Sequence, residues 1–375
     1  MRTEYRTTGR IHELDALRGI AALGVVFWHY GAHFDAHPLW QLLQPFYNAG
    51  FLLVDFFFVL SGYVIARAYW NPKRQSHAWR NIWARIARLY PLHLLTLLVT
   101  VALVLTLPAG AEDVDFNQPN NNLKHLVLNL LLINQVGFQD GWSFNIPAWS
   151  ISTEFVVNVA FLAFIATSVR VRWACAVVLG LGGGLLFAVL QPPVIEGQTA
   201  FGFCDVNLLR CMLGFSAGVG VYLAMYRLEL GRRLATRTLL SEAIGLASMA
   251  GLAGLMVASG RHPPIRDYLL SIAFSIGCVV FIPSSRILKS VLCRRPLVVL
   301  GDISYSIYLV HYPLQLALYS LSQHGAARFD YQSPALMLAY AACVVAVAMF
   351  THRHVELPAQ ARLLAWVSRA PAQPA

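Results

Sequence analysis

The sequence has little charge. Asp, Glu, Lys and Arg make up 12% of its 375 residues, about half the share of an average soluble domain, which excludes a chain that meets water on every side. None of its six cysteines (Cys175, Cys204, Cys211, Cys278, Cys293, Cys343) forms a C-x-x-C pair, and most lie within or beside apolar segments. Neither a disulfide framework nor a zinc site is indicated, and a Cys204–Cys211 pairing carries little weight. With no RNA- or DNA-binding motif, the formal charge of +10 does not imply nucleic acid. No small-residue cleavage site follows the first apolar run, which reads as an uncleaved first helix. Internal repeats and low-complexity segments are missing as well.

What the sequence does have is apolar length, with 57% of residues hydrophobic. A bilayer core about 30 Å thick takes roughly 20 apolar residues per helix, and long apolar stretches recur at 17–32, 51–69, 89–107, 147–169, 173–190, 208–226, 241–258, 268–283, 297–321 and 334–350. The stretch 125–136 carries Asn129 and Asn134 and, at about a dozen residues, is too short to span. Counting it as a span would also put Arg227, Arg232, Arg233 and Arg237 outside, against the positive-inside rule. Treated as re-entrant or interfacial, it leaves only Lys124, Arg210, Arg261, Arg266 and Arg328 of the 28 Lys and Arg residues outside or near that face. Loops 108–122 and 191–205, acidic and without Lys or Arg, suit the outer face. The expectation is an all-α, polytopic transmembrane helical bundle of about ten spans plus one short re-entrant or interfacial helix, N-in and C-in. Residues 1–358 form its membrane domain and 359–375 a short cytoplasmic tail, disordered at its end.

A charged group kept in an apolar segment costs several kcal/mol and by default marks a pathway or a site. Arg18 and His29 are separated by three helical turns to within about 20°, so they share one face. His29 suits a general base, because imidazole titrates near neutral pH and can take a proton from an attacking hydroxyl; a packed histidine bonded to a backbone carbonyl weighs equally. Asp15 either orients Arg18 or caps the helix. Arg85 and Arg88, at i and i+3, put two guanidinium forks on one side of a helix, which suits a phosphate-rich ligand or an ordinary positive-inside anchor. Ser150 and Glu154 sit one turn apart at the start of another span. Trp149 suits stacking on a sugar ring, although an interfacial anchor is the favoured single role. Ser304, Tyr308 and His311 make a polar stripe that either lines a cavity or bonds helices together. Near Asp55 and Ser61, close helix packing at Gly62 is the favoured explanation of the polar interruption.

Taken together, these segments resemble the acyltransferase-3 family of membrane acyltransferases, over nearly the whole chain. The carriers are Asp15-Ala16-Leu17-Arg18-Gly19 with ten residues between Arg18 and His29, Phe57-Phe58-Val59-Leu60-Ser61-Gly62-Tyr63, and Arg85-x-x-Arg88-x-x-Pro91. Trp149-Ser150-Ile151-Ser152-Thr153-Glu154 and Gly301-x-x-Ser304-Tyr305-x-x-Tyr308-Leu309-x-His311-x-Pro313 complete them. The resemblance implies a multi-pass enzyme of the inner (plasma) membrane that moves an acyl group, commonly acetyl, from acyl-CoA to a hydroxyl of a carbohydrate or glycosylated acceptor, as O-acetyltransferases of surface polysaccharides do. The family's Arg and His pair maps onto Arg18 and His29, and its Arg-x-x-Arg onto Arg85 and Arg88. The expected catalytic residues are His29, Arg18 and Glu154, the acyl-CoA contacts are Arg85, Arg88 and Arg18, and no metal is involved. Asp15, Ser61, Trp149, Ser150, Ser304, Tyr305, Tyr308 and His311 are expected to line the cavity, with Tyr305, Tyr308 or His311 as oxyanion donors. Glu356 and Pro358 look like the family's closing Glu-x-Pro, with Leu357 where a basic residue is common. A fused periplasmic esterase-like domain, found in some relatives, is not expected, and oligomerisation is left open. The rival reading is a transporter of a sugar or acyl carrier, against which no inverted repeat is found.

Overall fold

In the computed structural model, residues 10–70, 77–107, 119–167, 199–200, 204–260, 263–325 and 327–369 are described. The chain is a helical bundle, a polytopic membrane protein in architecture. Its first helices are α1 (His12–Phe34), α2 (Trp40–Ala49), α3 (Leu53–Tyr69), α4 (Ala78–Leu105), α5 (Leu123–Leu130) and α6 (Ala148–Ile165). A two-residue antiparallel ladder, β1 (Thr199–Ala200) with β2 (Cys204–Asp205), leads into α7 (Val206–Arg227). Next come α8 (Leu230–Ala235), α9 (Thr238–Ala258), α10 (Ile265–Phe281), α11 (Ile287–Leu292) and α12 (Arg295–Asp302). The chain continues through α13 (Ser304–Gln323) and α14 (Pro334–Thr351), a π-helical turn (His352–Glu356) and α15 (Leu357–Arg369).

Among the described residues, seven helices are long and apolar enough to cross a membrane, or eight if α12 and α13, bent by 66°, count as one broken span. The stretch 297–321 is therefore not one straight helix. Its break falls where Ser304 Oγ and an Arg18 guanidinium nitrogen, at 2.8 and 2.9 Å, both donate to the Gly301 carbonyl. α1, the expected first span, is not among the seven; it carries Glu13, Asp15, Arg18, His29 and His33 along a helix whose Glu13 and His29 are buried. The expected span 173–190 lies outside the described residues. The weak stretch forms only the eight-residue α5, capped by Asn122, whose side chain accepts from the His125 amide at 3.1 Å. The expected boundary at 358 falls inside α15, which packs along α4 through a Trp83–Leu363 hydrogen bond of 3.1 Å and a Trp83–Trp366 ring contact.

Two crossings, each lined by a pair of glycines, fix how the site helices approach. A Cβ at Gly62 would overlap the Phe215 carbonyl, and one at Gly218 the Val59 carbonyl, so α3 and α7 cross backbone to backbone. A Cβ at Gly19 would meet the Leu300 and Gly301 backbone, and one at Gly301 the Asp15 carbonyl. That close crossing of α1 and α12 brings Arg18 within reach of Gly301 and Ser304. In α13, Pro313 has no N–H and so leaves the Leu309 carbonyl without its helical partner. Asn145 Nδ2 donates to that carbonyl at 3.1 Å, tying the loop before α6 to α13.

Candidate active site

Two cavities lie toward opposite ends of α1. The first, about 830 Å³ with its mouth included, is lined by the start of α1, the end of α3, the start of α4 and parts of α6 and α13. Arg18, Arg85 and Arg88 all face it, as do Ser61, Ser150, Glu154, Ser304, Tyr305 and Tyr308. Arg18 Nε donates to Ser304 Oγ at 2.8 Å, and Asp15 lies 3.5 Å from its guanidinium while also accepting from Arg10 at 2.6 Å. The Arg85 guanidinium lies over the Tyr69 ring at 5.7 Å. Ser61 Oγ donates to Glu154 at 2.6 Å. Three guanidinium groups against one carboxylate leave this cavity net positive, a surface that bidentate phosphates fit.

The second cavity, about 560 Å³, is lined from the other direction by the later turns of α1 and the first turns of α3, α7 and α10. Its walls include His29, Trp28, Trp142, Trp149, Asn207, Arg210 and Tyr268. Arg210 and Asp55 form an ion pair at 2.7 Å with exposures of 2% and 0%, so the guanidinium is held in place by a carboxylate that water does not reach. Arg210 also donates to the Phe51 carbonyl at 3.0 Å and lies over the Tyr268 ring at 4.6 Å. Tyr308 lines both cavities, and its hydroxyl meets Ser150 Oγ at 2.7 Å.

His29 is buried against His311. The Nδ1 of His311 lies 3.2 Å from the Ile307 carbonyl, which can only accept, so Nδ1 carries the proton and Nε2 offers a lone pair. That Nε2 is 3.1 Å from Nδ1 of His29, itself 3.0 Å from the Val25 carbonyl. Facing two acceptors, Nδ1 of His29 must be the donor, so in the neutral ring Nε2 is the unprotonated nitrogen. The hydrogen-bond network thus sets His29 in the tautomer a general base needs.

Asp205 caps α7 and is buried. It accepts from the Asn207 amide at 2.7 Å and from the Gln135 and Gln139 side chains at 2.8 and 2.5 Å. Burial pushes its carboxyl up to about 6, against the pull of those donors. These bonds hold the loop 131–147, which carries Trp142, against α7.

The structure gathers Arg18, Arg85, Arg88, Ser61, Ser150, Glu154, Ser304, Tyr305 and Tyr308 round one cavity and puts His29 and Trp149 on the other. Glu154 is not brought to the cavity that His29 lines. Trp149 is 8% exposed and packs edge-on to Phe58, so it is a cavity wall rather than an interfacial anchor. Tyr305 donates to the Leu89 carbonyl at 2.6 Å, and both ring nitrogens of His311 are engaged, which leaves Tyr308 as the candidate oxyanion donor of the three. Sequence reasoning missed Arg210, Trp28, Trp142 and Tyr268 as site residues and put the polar interruption at Asp55 down to packing. Arg210 carried a signal, being a charge inside an apolar run; its pairing with a residue 155 positions away carried none. Cys204, Cys211, Cys278, Cys293 and Cys343 are free thiols. Among the described residues, no group of three or more His, Cys, Asp or Glu side chains is set to hold a metal.

The family described as "Acyltransferase domain" matches residues 11–353. The chain is 27% identical over 347 residues to "Acyltransferase MdmB" of Streptomyces mycarofaciens, covering 81% of this chain and 78% of the relative. It is 26% identical over 321 residues to "Putative peptidoglycan O-acetyltransferase YrhL" of Bacillus subtilis, covering 80% of this chain and 48% of the relative. With "Putative membrane-bound transacylase BcsY" of Komagataeibacter xylinus it shares 27% identity over 345 residues, covering 87% and 79%.

Proposed function

Since the chain belongs to the acyltransferase-3 family and is thereby a membrane O-acyltransferase, we propose that it transfers an acyl group, acetyl in the first instance, from acyl-CoA to a hydroxyl of a carbohydrate or glycosylated acceptor. The observation that carries this reading is the pair of cavities sharing Tyr308, one holding three guanidinium groups and the other His29. Arg85, Arg88 and Arg18 bind the phosphates of the donor from the cytoplasmic side of the inner membrane, and its thioester reaches the Tyr308–Ser150 junction. The acceptor enters the second cavity from the outer side. The relative named for peptidoglycan O-acetylation supports a cell-envelope acceptor.

In the reaction, Nε2 of His29 takes the proton of the acceptor hydroxyl as its oxygen attacks the thioester carbon. The hydroxyl of Tyr308 or Ser150 donates to the oxyanion that forms. Collapse breaks the C–S bond, and the proton on His29 passes to the leaving thiolate, so the histidine ends as it began. Glu154 acts within the donor cavity, where with Ser61 it lies among the three guanidinium groups. The test is transfer from radiolabelled acetyl-CoA to a panel of envelope saccharides by purified wild-type and His29→Ala protein in lipid vesicles. Label on a saccharide with wild type alone is the expected result. Equal labelling by both proteins, or neither labelling nor thioester hydrolysis by folded wild type, would contradict the reading.

A further inference from the structure

We infer that the Arg210–Asp55 pair determines acceptor specificity, making the second cavity a site for an uncharged, hydroxyl-bearing ring and excluding acidic ones; this rests on the reading above that the acceptor enters there. The cavity carries the chemistry of such a ligand. Trp28, Trp142, Trp149 and Tyr268 give it aromatic walls, and Asn207 and Arg210 give it a few fixed polar groups, the usual division of labour in a small-molecule pocket.

Its charge balance is what selects. The guanidinium of Arg210 is matched by Asp55 at 2.7 Å, with both side chains buried, and the tautomer assigned to His29 is neutral. The first cavity, by contrast, holds more guanidinium groups than carboxylates. A carboxylate on the acceptor would demand a countercharge that Arg210, already matched by Asp55, does not supply, so its loss of water on burial would go uncompensated. Hydroxyls make no such demand, because the N–H groups of Arg210 beyond those given to Asp55 and Phe51 can donate to neutral oxygens while the ion pair stays intact. Asp55 thereby acts as a positioning residue, aiming Arg210 and cancelling its charge.

The experiment compares a methyl hexopyranoside with the matching methyl hexuronate, as acceptors in acetyl transfer and as ligands that quench tryptophan fluorescence of the purified protein. Wild type is expected to favour the neutral sugar at least 100-fold in kcat/KM. Asp55→Asn, which frees Arg210 to meet an anion, is expected to narrow that ratio at least tenfold by improving use of the hexuronate, a gain that misfolding cannot mimic. As a second variant on a loop, Trp142→Ala is expected to raise the KM for the neutral sugar at least tenfold and that for acetyl-CoA less than twofold. Equal use and equal binding of the two sugars by wild type would overturn the inference. So would Asp55→Asn protein that folds with its preference unchanged, or, should that variant fail to fold, a Trp142→Ala KM that does not move. Binding without any transfer, still selective for the neutral sugar, would refute the acyltransfer reading and uphold this one.

Discussion

Replacing His311 by leucine separates two roles that the histidine pair combines. Nδ1 of His29 donates toward both the Val25 carbonyl, at 3.0 Å, and Nε2 of His311, at 3.1 Å. In His311→Leu, Val25 still fixes the tautomer and no buried donor on His29 is orphaned, so the base remains in place. The variant loses the second acceptor, which matters most when His29 is an imidazolium and its N–H is charge-assisted. A hydrogen bond to a charged group contributes about 1.5–3 kcal/mol, and each ~1.4 kcal/mol is tenfold in rate, so kcat should fall roughly 10- to 150-fold. The Tyr340 hydroxyl donates to the main-chain carbonyl of His311, a bond that leucine keeps. His311→Gln, whose amide oxygen can accept near the same point, should recover much of the loss. The assay is steady-state acetyl transfer in vesicles with both substrates varied. A kcat within threefold of wild type, or a loss confined to either KM, would refute the reasoning.

Arg88→Gln removes one phosphate contact of the proposed donor site, so the KM for acetyl-CoA should rise about tenfold, with the acceptor KM unmoved, by the same hydrogen-bond scale; steady-state kinetics checks this. Gly62→Ala should yield little folded protein by size-exclusion chromatography, because its Cβ would overlap the Phe215 carbonyl, whereas Gly254→Ala, with nothing within 4 Å, should be neutral or stabilising by about 0.5–1 kcal/mol. The folded pKa of Asp205 is raised from 3.8 to about 6, so the stability it contributes is full below the unfolded value and is lost as pH rises through the folded one. The Tm of wild type in detergent should accordingly fall between about pH 4 and pH 6 relative to Asp205→Asn, whose curve should be flatter there.

The helical, membrane-spanning class was legible because lipid forces every backbone group to be satisfied within a helix, leaving long apolar runs as its signature. That Arg85 and Arg88 share one side of a helix was legible from their i, i+3 spacing, whereas the expectation that Arg18 joins them rested on the family resemblance, because α1 and α4 meet only in the fold. The bend between Asp302 and Ser304 was not legible, since it depends on hydrogen bonds from Arg18 and Ser304 to one carbonyl, of which the first comes from another helix. Nor was the division of the site into two cavities. Ser150 and Glu154 share a face of α6 and both line the first cavity, while Trp149, next in sequence to Ser150, faces the second. Asp55 looked like a packing interruption because its partner, Arg210, lies on α7, and no local pattern records a contact across that distance in sequence.

The claim that donor and acceptor meet from opposite faces is tested most directly in vesicles holding the protein in one orientation, with radiolabelled acetyl-CoA on one side and a membrane-impermeant saccharide on the other. The account predicts labelled saccharide only when the thioester is on the face bearing Arg85 and Arg88 and the sugar is across the membrane, and none from His29→Ala in either arrangement. Transfer only when both substrates share one side, or wild-type labelling by His29→Ala, would contradict it.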